Sequence, residues 1–488
     1  MIHHEMWRDE LQAWLIARDS TSIIDLLANL KYETQSPLWY LLLMPLTWIT
    51  RDPLIMQAFH LLIVAITIYL VARFSPFSRL QKVLIAFGYY SVYEYAAIAR
   101  CYALAYLLIV VFCILYTRYR SRFAWIGATL FLLALNSVHS LIIVICITSW
   151  LFVQVLVYQD KRTINKAQLL VGFGLALIGI IASIVQLIPP DDIVPGVPVG
   201  WYFTFDQEKL KNVISCIETA FLPVPTSSIN FWQQNGLWQF PGYWRVYGYS
   251  SVLLPIIFSL YWIRKPMILL LFWSATAGLL IFFYVVYFGE LRNQGFLYLT
   301  LLLSIWLSYP LNPLLFSIEL TNRLKKRLVY FEWNGAVLAN ITFTLILFVQ
   351  VIGGITAIKM DSKYIFSNGK QVAEFIRSNQ LDHYPIVADS YHGAVAVLGY
   401  LVSVNEFFWI PGNRFASFVR WDDEWLTSRQ PAKTVAKANQ MPNDNVLVLT
   451  DYKIPEEYIR LDHMGFIKNF TGATRDNFFL YLFKKHTD

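Results

Sequence analysis

The sequence predicts an all-α polytopic membrane protein, with about ten transmembrane helices and a small C-terminal α/β domain outside the membrane. Three observations predict it. Of 488 residues 57% are apolar and only 15% charged, against about 25% charged in an ordinary soluble domain. Mean hydropathy is +0.48. The apolar residues fall in long runs separated by short basic clusters, the pattern of membrane topology. These figures exclude a disordered chain, a coiled coil and a disulfide-stapled miniprotein. The net charge of +7 comes with no basic tail, so nucleic acid is not expected as a partner. Cys101, Cys113, Cys146 and Cys216 have no CxxC spacing, which excludes a disulfide framework or zinc site of that kind.

In chain order, residues 1–52 are expected outside the membrane. The start, HHEMWRDELQAW, has neither the basic nor the apolar region of a signal peptide. On a helix Trp7, Leu11, Trp14 and Leu15 share one face, with Asp9 opposite and Glu10 near the edge. That predicts an amphipathic helix on the membrane surface, holding two carboxylates at the lipid boundary. Pro37–Ile49 is short and contains Pro45, and reads as a juxtamembrane or re-entrant helix.

The expected spans are Leu54–Val71, Val83–Ile98, Tyr102–Tyr116, Ala124–Val138, Leu141–Tyr158, Leu169–Ile188, Tyr249–Ile263, Met267–Phe288, Phe296–Pro310 and Val337–Ile358. With these, the basic clusters at residues 73–82, 118–122, 161–166, 264–265 and 323–327 all fall on one side, the cytoplasm. That agreement holds whether or not Pro37–Ile49 crosses. The loop 189–248, rich in Pro and Trp, and residues 359–488 then lie outside. In the latter, NGKQVAEFIRSN reads as a helix with Asn368 as N-cap. PIVAD and NVLVLTDY read as strands, PEEYIRLDHM as a helix opening at Pro455, and DNFFLYLFKK as a terminal strand.

Charge at the outer ends of these spans is where chemistry is expected. Asp9 and Glu10, Glu94 and Arg100, His139, and Glu290 with Arg292 all gather on the outer side. Charges in a bilayer are costly and usually functional. A purely structural set of ion pairs is the competing reading. A membrane-edge histidine such as His4 or His139 is more often structural than catalytic.

The order of these motifs resembles the GT-C superfamily of polyprenyl-phosphate-sugar-dependent glycosyltransferases. The nearest likeness is to protein O-mannosyltransferases and the lipid A aminoarabinose transferase. The counterparts are Asp9-Glu10, Ser36-Pro37-Leu38-Trp39-Tyr40, Arg100 with Tyr102, and Arg292-Asn293-Gln294-Gly295-Phe296. The likeness covers His4 to about Pro310 plus the outer domain, and supports a juxtamembrane Pro37–Ile49. Two departures stand out. The family commonly has a paired proline after a basic or polar residue, where this chain has Gln35-Ser36-Pro37. The family also places a span before the acidic pair, so an apolar run of roughly 20 residues is expected upstream of Met1.

The resemblance implies an enzyme of the bacterial inner membrane, with both termini and the active site extracytoplasmic. It implies sugar transfer, with inversion, from a polyprenyl phosphate to a hydroxyl of a glycan, lipid or protein. Phosphate leaves without protonation, so the site needs one base and cations for the leaving group. Asp9 is then the base and Glu10 its orienting or acceptor-binding partner. Arg292 is the first choice for the donor phosphate and Arg100 the second. Tyr102, Glu290, Glu94, His4 and His139 are expected to bind substrate or line the site. A divalent ion, Mg or Mn, could sit on Asp9 and Glu10, although no His/Asp cluster demands one. The alternatives are a lipid-linked glycan flippase or transporter and an inactive glycan-binding relative.

Overall fold

A computed structural model describes residues 4–33, 35–157, 165–194, 201–239, 248–310, 322–425, 428–461, 464–471 and 477–484. Lys161 and Arg162, and parts of the 189–248 loop, lie outside these residues, and the side chains of residues 323–327 are likewise not described. The chain is mostly helical. In order come α1 (Arg8–Asp19), α2 (Ile23–Leu30), α3 (Leu38–Thr47), α4 (Leu54–Phe74), α5 (Arg79–Ala86), α6 (Tyr102–Arg118), α7 (Phe123–Ala134), α8 (Val138–Val157) and α9 (Lys166–Leu187). After these come α10 (Gln207–Phe221), α11 (Tyr249–Tyr261), α12 (Pro266–Val285), α13 (Leu291–Ser308) and α14 (Asn322–Lys363).

Among the described residues, five helices are long and apolar enough to cross a membrane: Leu54–Phe74, Val138–Leu156, Lys166–Leu187, Pro266–Val285 and Asn334–Lys363. Their outer faces expose large apolar side chains such as Ile178, Ile181, Val185, Ile281 and Ile355. The helix α3, within Pro37–Ile49, has ten residues, about half the length a span requires.

Val83–Ile98 differs from expectation. The helix stops at Ala86, makes one π-turn over Tyr90–Glu94, and runs irregularly to Cys101. Gly88 sits at the break. Irregular backbone among apolar helices survives only if its polar groups find protein partners. Here Ala99 N–H donates to Glu10 Oε1 at 2.6 Å. The His60 ring lies between the Ala96 and Arg100 carbonyls, at 3.2 and 3.1 Å.

The helix α1 also differs. Its residues from Glu10 to Ala17 are all buried, so protein rather than lipid covers the apolar stripe. On one side it packs against α3. On the other it meets α16 (Val395–Leu398) of the C-terminal region, which follows α15 (Gly369–Ser378). Gln12 fixes this contact: its amide donates to Val419 O at 2.6 Å and accepts from Val419 N–H at 3.1 Å.

The C-terminal region forms one six-stranded sheet with order β3-β2-β1-β4-β6-β5. The strands are β1 (Ile386–Asp389), β2 (Phe407–Trp409), β3 (Arg414–Ala416), β4 (Asn445–Thr450), β5 (Met464–Phe470) and β6 (Phe478–Lys484). β1 pairs parallel with β2 and β4, and the remaining pairs are antiparallel. The helices α17 (Pro431–Gln440) and α18 (Glu456–Leu461) complete it. The expected helix at Asn368, the strands PIVAD and NVLVLTDY and the terminal strand are all present. Asn368 precedes α15 without a side-chain capping bond. Asp389, at the end of β1, is consumed structurally by Gln430 N–H and the Thr434 and Tyr452 hydroxyls.

α7 and α9 approach most closely at glycines, the usual device for close helix packing in lipid. A Cβ on Gly172 would lie 2.4 Å from Phe123 Cδ1 and 2.5 Å from Phe123 O. Gly172→Val therefore forces the helices apart and lowers stability by about 1–3 kcal/mol. Gly174→Val, on the same helix, meets nothing within 4 Å and leaves it unchanged. Thermal unfolding of the purified variants checks the pair, and equal melting temperatures would refute this packing.

Candidate functional site

A cavity of about 950 Å³ opens where α1, α6, α8, α9, α12 and α13 converge beneath the C-terminal region. Its lining has two unlike parts. One is polar, with Arg8, Asp9, Gln12, Glu33, Arg100 and Arg292. The other is a wall of apolar side chains from α8, α9 and α12, among them Ile142, Ile184, Leu187, Ile281 and Val285.

Asp9 sits in the first turn of α1, where the helix dipole favours an acid. Its Oδ2 lies 3.3 Å from Arg292 Nη2, and its Oδ1 lies 3.8 Å from Arg8 Nε. Arg100 donates to the Asp9 carbonyl from the irregular segment before α6. Burial works to raise the Asp9 carboxyl, but Arg100, Arg292 and Arg8 outweigh it and hold it below the usual carboxylate range.

The motif Arg292-Asn293-Gln294-Gly295-Phe296 opens α13, and each residue has a distinct position. Arg292 faces the cavity, and its Nε and Nη1 have no hydrogen-bond partner. Its Nη2 also holds Glu290 Oε2 at 2.6 Å. Asn293 donates to the Tyr102 hydroxyl at 3.1 Å and accepts from Glu290 N–H at 3.0 Å. Gly295 admits Tyr90 and Tyr95, since a Cβ there would lie 2.3 Å from the Tyr95 hydroxyl. Phe296 stacks on His139 with centroids 5.2 Å apart.

The structure thus brings together Asp9, Arg100, Tyr102, His139 and Arg292 around one cavity. Four other residues singled out from sequence do not line it. Glu10 is fully buried; it accepts from Trp7 N–H at 3.1 Å and from Ala99 N–H. Asp9 and Glu10 therefore point to different surroundings and do not form a shared cation site. His4 contacts Asp361 at 3.1 Å. Burial opposes its protonation, but Asp361 and then Glu10 prevail and push its pKa up to about 10. Glu94 accepts from the Tyr89 hydroxyl and Trp232 Nε1. Glu290 faces a neighbouring cavity.

Sequence reasoning missed Arg8, Gln12, Glu33, His392 and Trp421 among the lining residues. Arg8 and Gln12 carried a signal, being one position before and three after Asp9 on one helix. Glu33 lies two residues before Gln35-Ser36-Pro37. His392 and Trp421 carried none, because the C-terminal region folds them back over the cavity. The His392 ring is pushed down to about 3 by burial and then by Arg8, so it is neutral. Its Nδ1 has no hydrogen-bond partner. Among the described residues, no group of three or more His, Cys, Asp or Glu could hold a metal ion.

Comparison with protein-family models, with curated proteins and with solved structures finds no match for this chain.

Glu33 accepts from Gln12 at 2.7 Å. Burial pushes its carboxyl up to about 7, against the opposing pull of Gln12 and Arg100. Its ionisation therefore costs stability that grows as pH rises from the unfolded carboxyl value through 7. Glu33→Gln keeps the acceptor for Gln12 and removes that cost. The variant should match the wild type near pH 4.5 and melt at higher temperature than it at pH 8. A difference that stays constant with pH would refute the assignment.

Proposed function

We propose that the protein is a membrane glycosyltransferase. It moves a sugar from a polyprenyl-phosphate donor to a hydroxyl acceptor outside the cytoplasm, with inversion at the anomeric carbon. The observation that carries this reading is the mixed lining of the cavity. The Arg292 guanidinium, with two unused donors, faces it beside Arg100, and a hydrocarbon-like wall from α8, α9 and α12 lines the rest. A ligand with an anionic head and an apolar tail satisfies both.

In this reading Arg292 offers Nε and Nη1 to the donor phosphate, and Arg100 adds positive charge beside it. The phosphate competes with Asp9 for both arginines. Its arrival weakens the hold that keeps the Asp9 carboxyl so weakly basic. Asp9 then takes the proton of the acceptor hydroxyl as its oxygen bonds to the anomeric carbon. The bond from that carbon to the phosphate oxygen breaks, and the electron pair leaves with the phosphate. Tyr102 and His139 shape the cavity between these groups, and His392 offers a neutral hydrogen-bonding group from above. Glu10, His4, Glu94 and Glu290 act by holding the frame in position. The ten-span topology belongs to this reading too, with residues 359–488 extracytoplasmic in a bacterial inner membrane.

Two tests apply. In intact cells and a background free of native cysteines, an impermeant maleimide should label Glu208→Cys and spare Ser121→Cys. The reverse pattern would overturn the orientation. For the chemistry, Asp9→Asn should reduce transfer by about 10²–10⁴-fold in a panel of polyprenyl-phosphate sugars, normalised to stably folded protein. Arg292→Lys should be damaging but less severe, because lysine keeps the charge and loses the fork. Full specific activity in Asp9→Asn would remove the base. Movement of donor lipid between leaflets with no sugar transferred would favour a flippase instead.

A further inference from the structure

A second cavity, of about 570 Å³, lies behind the Arg292–Glu290 pair. The two cavities flank residues 287–294, and the Arg292–Glu290 pair joins them: Arg292 lines the first, Glu290 lines the second, and Nη2 and Oε2 are 2.6 Å apart. The volume falls within the roughly 300–1,000 Å³ of small-molecule sites.

Its lining is chemically unusual for a site at the edge of an apolar bundle. The polar groups are mostly the amides of Gln233, Gln234, Asn235, Gln239 and Gln294, together with hydroxyls such as Thr219 and Thr226. Among the described residues, no Lys, Arg or His lines it. The one carboxylate, Glu290, is already held by Arg292 and by Gln233 Nε2 at 2.7 Å. Phe288 adds an apolar ring that is 43% exposed.

Each candidate ligand class can be weighed against this lining. An anion would find no cation on the wall and would face Glu290. A cation would find only a carboxylate already paired. An apolar ligand would fit the carbon surface of the wall and Phe288 but would leave the amides of Gln234 and Gln239 unanswered. A side-chain amide both donates and accepts, as a sugar hydroxyl does; Gln233, Asn235 and Gln294 hold Glu290, Leu222 O and Gly289 O, which leaves Gln234 and Gln239 to meet a ligand's hydroxyls. The exposed ring of Phe288 suits the C–H face of a pyranose.

We propose that this second cavity is a binding site for a neutral carbohydrate, the acceptor end of a glycan. It rests on the transferase reading only in the word acceptor. The geometry gives the site its use. A glycan seated among these amides abuts the ion pair whose other face meets the donor phosphate. Glu290 is thereby a positioning residue between the two ligands.

The side chains of Gln234 and Gln239 are exposed, so replacing them does not disturb the core. The test is saturation-transfer NMR on the purified full chain in detergent. The neutral probes are methyl α-mannopyranoside, methyl β-glucopyranoside and methyl N-acetylglucosaminide, and methyl glucuronide is the anionic counterpart. At least one neutral glycoside should bind, the glucuronide should not, and Gln234→Leu with Gln239→Leu should weaken binding about tenfold or more. Asp9→Asn, in the first cavity, should retain glycoside binding, so the outcome does not depend on whether transfer occurs. Absence of binding by every neutral probe would overturn the proposal. So would equal binding of the glucuronide, unchanged affinity in the double variant, or loss of binding in Asp9→Asn.

Discussion

A chain that breaks its helix among apolar neighbours must satisfy the backbone groups it frees, and here Glu10 meets that demand at Ala99. The same carboxylate caps the start of α1 at Trp7, and it lies 3.6 Å from the His4 ring. These contacts lock the first turn of α1 to the irregular segment that carries Arg100. Asp9 is the residue before Glu10, and Arg100 the residue after Ala99. Their meeting at the cavity is therefore a consequence of the Glu10 clamp, and the groups that face the ligand space depend on one that never reaches it.

The cavity shows how such a site can be built with few charges. Arg8, Arg100 and Arg292 converge near one half-buried carboxylate, Asp9, and the apolar walls beside them lower the local dielectric and strengthen their attraction. Arg292 lies over the rings of Trp7 and Trp232, with its carbon 5.3 and 5.5 Å from their centroids. Aromatic faces steady the guanidinium without consuming its donors. That leaves Nε and Nη1 unspent inside a buried setting.

The legibility of this molecule follows the range of the interactions involved. The apolar helices and the strands PIVAD and NVLVLTDY were visible because their signal is local periodicity and composition. Asp9, Arg100, Tyr102, His139 and Arg292 were visible because a charged or polar group at the end of an apolar run is costly and therefore conspicuous. The break at Gly88 is hidden because the apolar run from Val83 to Phe87 leads into it and Val92, Ala96, Ala97, Ile98 and Ala99 continue it, although the four tyrosines and Glu94 between them lower the hydropathy. Glu10 was misjudged because helical spacing alone cannot say whether lipid or protein covers α1. His392 and Trp421 were out of reach. They are brought over the cavity by α16 packing on α1 and by the Gln12–Val419 bonds, which join residues some four hundred positions apart.

The helix α14 is a single rod of 42 residues, roughly 60 Å long, twice the hydrocarbon thickness of a bilayer. Near its C-terminal end Asp361 grips His4, and α15 begins six residues beyond Lys363. The sheet region is rooted on a mast rather than tethered by a string. A tilt of the roof that carries His392 is then a tilt of the mast, and its stiffness carries the motion to the far end at Asn322.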